Sequence, residues 1–426
     1  MQNAKKQTLL LTAVNTLVRA MGLVMRVLLS RLLGAEIMGI TELCSSVHML
    51  AITPLTSGLP LAVSRMTAKA APGDRAKPLS AALWISRAAS TALIPLLLLF
   101  SPFIARIVQD ERILPSLWLT APCILVLGYS ASYNGYCYGI EKSWLPGASE
   151  LIEQAARFAL SIGLVMGFSR LTAAWLAAVP VLATLVAEIA GLVFVLACLR
   201  LPLPACTPVW RKNVVRLAAP TTATRLISTG LRSATALMLP LRLQASGLSA
   251  GEATARLGML NGMTLPLVML PCIFTSALSM VALPRFAKAE KNRRELKRLL
   301  VQSFGSSLLI GLGSAALLYV CAPLLAVKAY RLPELTELLR RACPLTLLSA
   351  LGHISGGILA GLGKQKRAMY GTLVSSALSL ALTYGLTALP AMRLYGALTA
   401  LCVGQACTLL WNLGVLCREL RRVHTV

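Results

Sequence analysis

Four arginines lie inside apolar stretches that are long enough to cross a membrane. Arg19 and Arg26 belong to the first stretch, and Arg225 and Arg232 to a later one, each pair seven residues apart. Seven residues make nearly two helical turns, so each pair shares one helix face, about 10 Å apart along the axis. A guanidinium costs roughly 2.5–3.5 kcal/mol at the centre of an inserted helix, and its forked donors match phosphate oxygens. The pattern favours a water-filled cavity that holds an anionic ligand.

Two other interpretations of these arginines stay open: they snorkel to an interface, or they pair with acids on other helices. Neither stretch contains an acid, since Glu36 and Glu42 lie beyond the end of the first. In SELIEQAAR, Glu153 and Arg157 are four residues apart, which predicts an ion pair within one helix. Glu150 and Glu153 are candidates to face the cavity, where they would take up a proton or balance an arginine.

No other pattern indicates catalysis or a cofactor. The sequence has no GxxxxGK[ST] nucleotide motif and no Ser-His-Asp arrangement at membrane depth, and its 11 cysteines include no CxxC pair. We therefore predict that the chain is not an enzyme and that it has no metal site or cofactor. The net charge is +26, but no Lys/Arg-rich domain or aromatic-basic platform accompanies it, so nucleic acid is not an expected partner.

The elements that must position these side chains are predicted to be transmembrane helices. Of the 426 residues, 57% are hydrophobic and 13% are charged, against about 25% charged in a soluble protein. Apolar runs of about 20 residues recur without the alternation of a β-barrel. The fold class predicted is an all-α integral membrane protein with about twelve spans, centred on residues 8–33, 41–64, 79–101, 113–138, 145–168, 173–199, 214–240, 256–283, 299–322, 337–360, 368–390 and 394–417.

The distribution of basic residues predicts how these spans are oriented. Loops on the side of the N-terminus hold 24 Lys and Arg residues, whereas the opposite loops hold about eleven. Cytoplasmic loops of polytopic proteins carry such an excess, so both termini are predicted to be cytoplasmic. The expected location is the bacterial cytoplasmic membrane, with several passes.

An internal repeat divides the chain into two halves. SGLPLAVSRMTAKA (57–70) aligns with SALSMVALPRFAKA (276–289), at an offset of 219–220. NGYCYGIEKS (134–143) aligns with GGILAGLGKQ (356–365) through two glycines four residues apart, at an offset of 222. We predict two six-helix bundles, 1–205 and 206–426, that enclose a central cavity and are related by an axis along the membrane normal.

Several stretches carry a resemblance to a known family. LLSRLLGAEIMGI, SGLPLAVSRMTAKA and NGYCYGIEKSWLPGASELIEQAAR resemble the stage V sporulation protein B group, as does LPLRLQASGLSAGEATARLGMLNGMTLPLVMLP (239–271) leading to LPRFAKAEK. These are polysaccharide and oligosaccharide flippases of the multidrug/oligosaccharidyl-lipid/polysaccharide exporter superfamily, which also contains the lipid II flippases. The similarity extends over nearly the whole chain.

The resemblance implies alternating access by two lobes and an undecaprenyl-diphosphate-linked sugar or peptidoglycan precursor as cargo. Lipid II flippases hold the diphosphate with cationic residues that include arginines of the first helix. Arg19 and Arg26 lie in the corresponding region of this sequence. Membrane lipids are the other expected partners, and a monomer would be sufficient. The alternative is a cation-coupled multidrug antiporter of the same fold, which would need acids where this sequence has mostly arginines.

Overall fold

The computed structural model describes residues 2–168, 170–201, 204–289 and 292–422, which pack into two compact units. The first unit ends at Leu237 and the second begins at Met238. The chain is 89% helical, and the described residues contain no strand, which confirms the all-α class. The division falls inside a helix because that helix packs with the first unit, whereas the halves 1–205 and 206–426 stay a prediction.

The described part of the first unit contains seven helices, the last of which continues into the second unit. Short 3₁₀ turns at Pro72–Asp74 and Glu111–Ile113 precede the third and fourth helices. In chain order the helices are α1 (Gln2–Thr56), α2 (Gly58–Lys69), α3 (Lys77–Val108), α4 (Leu114–Gly139), α5 (Trp144–Gly167), α6 (Ala173–Leu199) and α7 (Pro208–Ala245).

Helix α1 reverses direction at Gly34. The backbone there has φ 78° and ψ 173°, a left-handed conformation that glycine adopts without steric cost. Arg26 and Glu42, each eight residues from Gly34, form an ion pair at 3.1 Å, whereas a continuous helix would separate them by about 24 Å. Beyond the turn, Glu36 binds Arg112 at 2.7 Å. The two arms of α1 therefore form an antiparallel hairpin, as the first two predicted spans require.

Helix α7 runs antiparallel to the second arm of α1. The Ser233 hydroxyl donates to the Ser46 carbonyl at 2.7 Å, and Thr53 and Thr229 are in contact through their hydroxyls at 3.5 Å. Further along, Gly58 lies against the Ala218 carbonyl, where a side chain on the glycine would clash. Small and hydroxyl-bearing residues thus let the two helices approach closely, which is typical of helix packing in membranes.

The second unit contains eight further helices and two π-helical stretches, Gly258–Thr264 and Leu325–Ala329. The Tyr330 hydroxyl donates to the Met263 carbonyl at 3.5 Å, which links the two stretches. The helices are α8 (Ala250–Leu257), α9 (Leu265–Val268), α10 (Pro271–Ala289), α11 (Arg293–Leu324), α12 (Leu335–Arg341), α13 (Cys343–Gly361), α14 (Gln365–Leu386) and α15 (Arg393–Arg422).

The internal repeat recurs as an equivalent close contact in each unit. In the first, Gly135 of α4 touches Pro60 of α2; in the second, Gly357 of α13 touches Ser279 of α10. The glycines are 222 positions apart and their partners 219, which are the offsets of the sequence alignment. The two units therefore repeat the same helix crossing.

Six helices of the described chain are long and apolar enough to cross a membrane: Pro72–Val108, Glu111–Gly139, Ala173–Leu199, Arg294–Ala329, Cys343–Gly361 and Arg393–Arg421. Large apolar side chains stand on their outer surfaces, with Leu99, Leu309 and Val320 exposed by 75%, 75% and 74%. Such surfaces suit lipid rather than water. The chain is a multi-pass membrane protein, while the count of twelve spans and the side on which the termini lie stay predictions.

Candidate functional site

All four arginines singled out by the sequence belong to the first unit. Arg19, Arg225 and Arg232 are exposed, and none of the three forms an ion pair with a residue that the structure describes. Helix α7 is unbroken between Arg225 and Arg232, and α1 is helical from Arg19 to Arg26. Each pair therefore shares a helix face, as predicted from the seven-residue spacing.

Arg26 differs from the other three because it has an acidic partner. Its Nη2 lies 3.1 Å from Glu42 Oε1, with the Arg26 side chain 38% exposed and that of Glu42 12%. The expectation that Glu42 is out of reach beyond the span was wrong, because the reversal at Gly34 returns it to the level of Arg26. The hairpin thus supplies a counter-charge to Arg26, which leaves Arg19 as the less neutralised member of its pair.

Arg19 is brought close to α5 by the packing of α1 against that helix. Its guanidinium is near enough to the Glu150 carboxylate for an electrostatic interaction, although no ion pair within 4.0 Å forms between them. One turn further along α1, Gly22 lies beside Gln154. A Cβ added to Gly22 would be 3.5 Å from the Gln154 Nε2 atom. The structure therefore brings together two of the predicted site residues, Arg19 and Glu150.

Glu153 lies in the interior of the unit, between α5 and α6. It is buried, accepts a hydrogen bond from the Ser149 hydroxyl at 2.7 Å, and fits against Gly191 of α6, where any side chain would displace it. The predicted ion pair between Glu153 and Arg157 was wrong. Arg157 Nη2 pairs instead with Glu188 of α6 at 3.2 Å, because the guanidinium reaches across to the neighbouring helix rather than along its own.

These residues form a polar cluster of three carboxylates and two guanidinium groups, defined by Arg19, Glu150, Glu153, Arg157 and Glu188. Two donors at the cluster are buried and have no hydrogen-bond partner among the described residues, namely Arg157 Nε and Gln154 Nε2. Buried N–H groups of this kind are normally satisfied by water or a ligand. The cluster thus offers donors to a bound acceptor beside carboxylates able to carry a proton.

Glu188 was not recognised in the sequence, although a signal was present. It is a lone acid in the apolar run VAEIAG of α6, and a charge in such a run indicates a functional or paired residue. Its partner could not be found because Arg157 is 31 positions away. The cluster does not form a metal centre: no group of three His, Cys, Asp or Glu residues in the described chain is arranged to hold an ion.

The fold is shared with solved transporters. A multidrug resistance MATE family transporter of the MOP superfamily, in its inward-facing conformation, matches at a TM-score of 0.79 and 14% identity, covering 95% of this chain and 94% of that one. The lipid II flippase MurJ, in an inward closed conformation, matches at a TM-score of 0.76 and 13% identity, covering 97% and 90%. Fold and charged interior define a membrane protein of the MATE and MurJ structural class.

The sequence comparisons give the family within that class. Residues 4–290 match the model of the polysaccharide biosynthesis protein family, and the chain belongs to that family. Stage V sporulation protein B of Bacillus subtilis (strain 168) is 26% identical over 425 residues, covering 95% of this chain and 82% of that protein. This similarity confirms the resemblance on which the sequence analysis drew.

Proposed function

We propose that the chain is a flippase, and not an enzyme, that moves an anionic lipid-linked sugar between the two leaflets by alternating access. The cargo is an undecaprenyl-diphosphate-linked oligosaccharide or peptidoglycan precursor, and Arg19, Arg225 and Arg232 hold its diphosphate. The similarity to a lipid II flippase and membership of a polysaccharide biosynthesis family support this class of cargo.

One observation carries the proposal: three arginines of α1 and α7, helices that the sequence predicts to span the membrane, are exposed and without an ion pair among the described residues. Their position is costly unless an anion or water meets them, since charged groups are expensive in a membrane. A diphosphate meets the requirement because guanidinium groups donate paired hydrogen bonds to phosphate oxygens. The polyprenyl tail remains in lipid while the headgroup crosses.

The polar cluster offers a way to couple binding of the headgroup to the conformational change of alternating access. Glu150 interacts electrostatically with Arg19, so the carboxylate and the diphosphate compete for the same guanidinium. Headgroup binding would release Glu150, which can then take up a proton. A ligand shifts a conformational equilibrium only through contacts that differ between two states, and this competition is such a difference.

A second candidate function is a cation-coupled multidrug antiporter. The observation that favours it is the set of carboxylates gathered by α5 and α6, which the sequence alone did not assemble, together with the MATE fold. In an antiporter Glu153 and Glu188 would exchange cations, and the exposed arginines would have no anion to bind. The two functions therefore differ in which side chains are essential.

The test is the translocation of a fluorescent undecaprenyl-diphosphate-linked disaccharide in vesicles that contain the purified chain. Its accessibility to a membrane-impermeant quencher reports the leaflet in which it lies. We expect Arg19→Gln and Arg225→Gln to reduce the rate at least about tenfold, the effect of losing one charge-assisted contact in the transition state. Arg87→Gln, an exposed arginine on α3, is the matched control and should keep the rate.

The result separates the two candidates. Loss of translocation in the arginine variants, with folding and insertion intact, supports the flippase. Unchanged translocation in Arg19→Gln and Arg225→Gln removes these residues from the site. Proton-driven efflux of a cationic dye that depends on Glu188 and not on the arginines would favour the antiporter.

A further inference from the structure

A second arginine-rich site lies in the second unit, at the end where α8, α12 and the start of α15 meet. Two adjoining cavities of about 430 Å³ and 200 Å³ open there, and both are lined by Arg256, Glu334 and Tyr395. Arg340 and Glu337 line the larger and Arg393 the smaller. The larger volume falls within the roughly 300–1,000 Å³ of small-molecule pockets. We call this region the arginine cup.

The cup holds more positive than negative charge. Arg256 pairs with Glu334 at 3.3 Å, and Arg341, which stacks 3.9 Å from the centre of the Tyr395 ring, pairs with Glu337 at 2.5 Å. These two pairs account for both carboxylates of the lining.

Two guanidinium groups of the cup form no ion pair within 4.0 Å among the described residues, although Glu252 is near enough to Arg393 to interact with it electrostatically. Arg340 lies 5.1 Å from the centre of the Tyr319 ring, and Arg393 is exposed; neither has an ion pair with any residue that the structure describes. Because both line a cavity, their donors are available to a bound group. An oxyanion is the group that such donors match best.

The mixture of charges restricts the ligand further. Glu334 and Glu337 would repel a bare multivalent anion, but their oxygens accept hydrogen bonds from hydroxyl groups, and Thr336 on the same wall adds a hydroxyl that donates and accepts. A ligand that satisfies the whole lining carries several hydroxyls and one oxyanion. That combination is an acidic saccharide, with a carboxylate or a phosphate on the sugar.

We propose that the arginine cup binds the acidic saccharide portion of the cargo, with Arg340 and Arg393 on its oxyanion and the two glutamates on its hydroxyls. The cup is separate from the cluster around Arg19, which belongs to the other unit. Arg256, Arg340 and Arg393 are among the basic residues predicted to lie on the side of the membrane opposite the N-terminus, where a translocated sugar arrives. The proposal rests on the proposed function in taking this saccharide to be part of the cargo.

Direct binding to the purified chain in lipid nanodiscs tests the cup without transport. The probes are a glucose–glucuronic acid disaccharide, its neutral counterpart cellobiose, glucose 1-phosphate and inorganic phosphate. We expect the acidic disaccharide to bind at least about tenfold more tightly than cellobiose, and Arg340→Gln/Arg393→Gln to lose that advantage. Arg298→Gln, at the opposite end of α11, is the matched control and should bind as the wild type does.

Binding of glucose 1-phosphate in preference to the acidic disaccharide also supports the cup and assigns phosphate as the oxyanion. Inorganic phosphate binding as tightly as either sugar, or acidic-sugar binding that survives the double variant, would overturn the proposal. If the double variant does not fold, Arg340→Gln alone replaces it, since this exposed side chain contacts the Tyr319 ring and forms no ion pair with a residue that the structure describes.

Translocation measured with the same purified proteins, reconstituted into sealed vesicles, separates this proposal from the proposed function. Arginine-dependent saccharide binding without translocation would reject the flippase and keep the cup. Translocation by a protein that binds none of the sugars would keep the flippase and reject the cup.

Discussion

Removing the Arg157 guanidinium tests how the first unit holds charge in its interior. Arg157→Gln leaves Glu150, Glu153 and Glu188 as three carboxylates with only Arg19 near them. We expect this substitution to destabilise the unit more than Glu188→Gln, which leaves Arg157 still facing Glu153.

The magnitude follows from the burial of the pair. Removing one partner of a fully buried ion pair costs roughly 3–5 kcal/mol, because the other charge is left uncompensated. The Arg157 side chain is 26% exposed and that of Glu188 9%, so solvent screens part of the loss. We expect about 2–4 kcal/mol for Arg157→Gln and about 1–2 kcal/mol for Glu188→Gln.

Thermal unfolding followed with a thiol-reactive dye measures these losses, because Cys44, Cys123 and Cys137 are free and buried until the unit opens. For a unit of this size the expected drop in Tm for Arg157→Gln is on the order of 5–10 °C. Arg87→Gln makes the same chemical change on an exposed surface of α3 and should leave the Tm within about 1 °C.

The double variant Arg157→Gln/Glu188→Gln decides whether the pair acts as a unit. If the two side chains are coupled, the double variant loses less unfolding free energy than the two single variants lose together, by about 0.5–3 kcal/mol. Strictly additive losses, or a Glu188→Gln variant less stable than Arg157→Gln, would refute the reasoning.

Two further contacts provide tests of the local structure. Arg26→Gln or Glu42→Gln should each lower the free energy of unfolding by only about 0.2–1 kcal/mol, since the pair is partly exposed. Exchanging the two residues should restore the Tm, and a Tm that stays low after the exchange would argue against a direct pair. Hydrogen bonds from Ser249 lower the pKa of Glu252 below its usual 4.5, so the cap of α8 is present above that pH and weakens as pH falls through the lowered value. Hydrogen exchange of α8 against pH measures this. Ser249→Ala should weaken the pH response without abolishing it, because the backbone N–H at position 249 still donates to Glu252, whereas Glu252→Gln should abolish it.

The sequence was sufficient for the helical class and for the paired motifs of the internal repeat. Those features follow from local patterns: apolar runs of membrane length and motifs that recur at nearly one offset. The Gly135 and Gly357 contacts appear where the alignment of the two halves places them. Local chemistry is therefore a good guide to the scaffold.

The charge partners could not be predicted in the same way. Glu42 reaches Arg26 only because α1 reverses, and Glu188 reaches Arg157 only because α5 and α6 pack side by side. Such pairs depend on which helices are neighbours, which one sequence without an alignment does not contain. The helical spacing of Glu153 and Arg157 favoured a pair on one helix, but Glu153 accepts a hydrogen bond from Ser149, and Arg157 pairs with Glu188 of the neighbouring helix.

The central claim is that this chain moves an anionic lipid-linked sugar across a membrane. The most direct measurement places the wild-type protein in vesicles and follows the leaflet of a fluorescent undecaprenyl-diphosphate-linked disaccharide, with a cationic dye monitored in the same vesicles. We expect protein-dependent translocation of the diphosphate lipid and no transport of the dye. Transport of the dye with no movement of the lipid would contradict it.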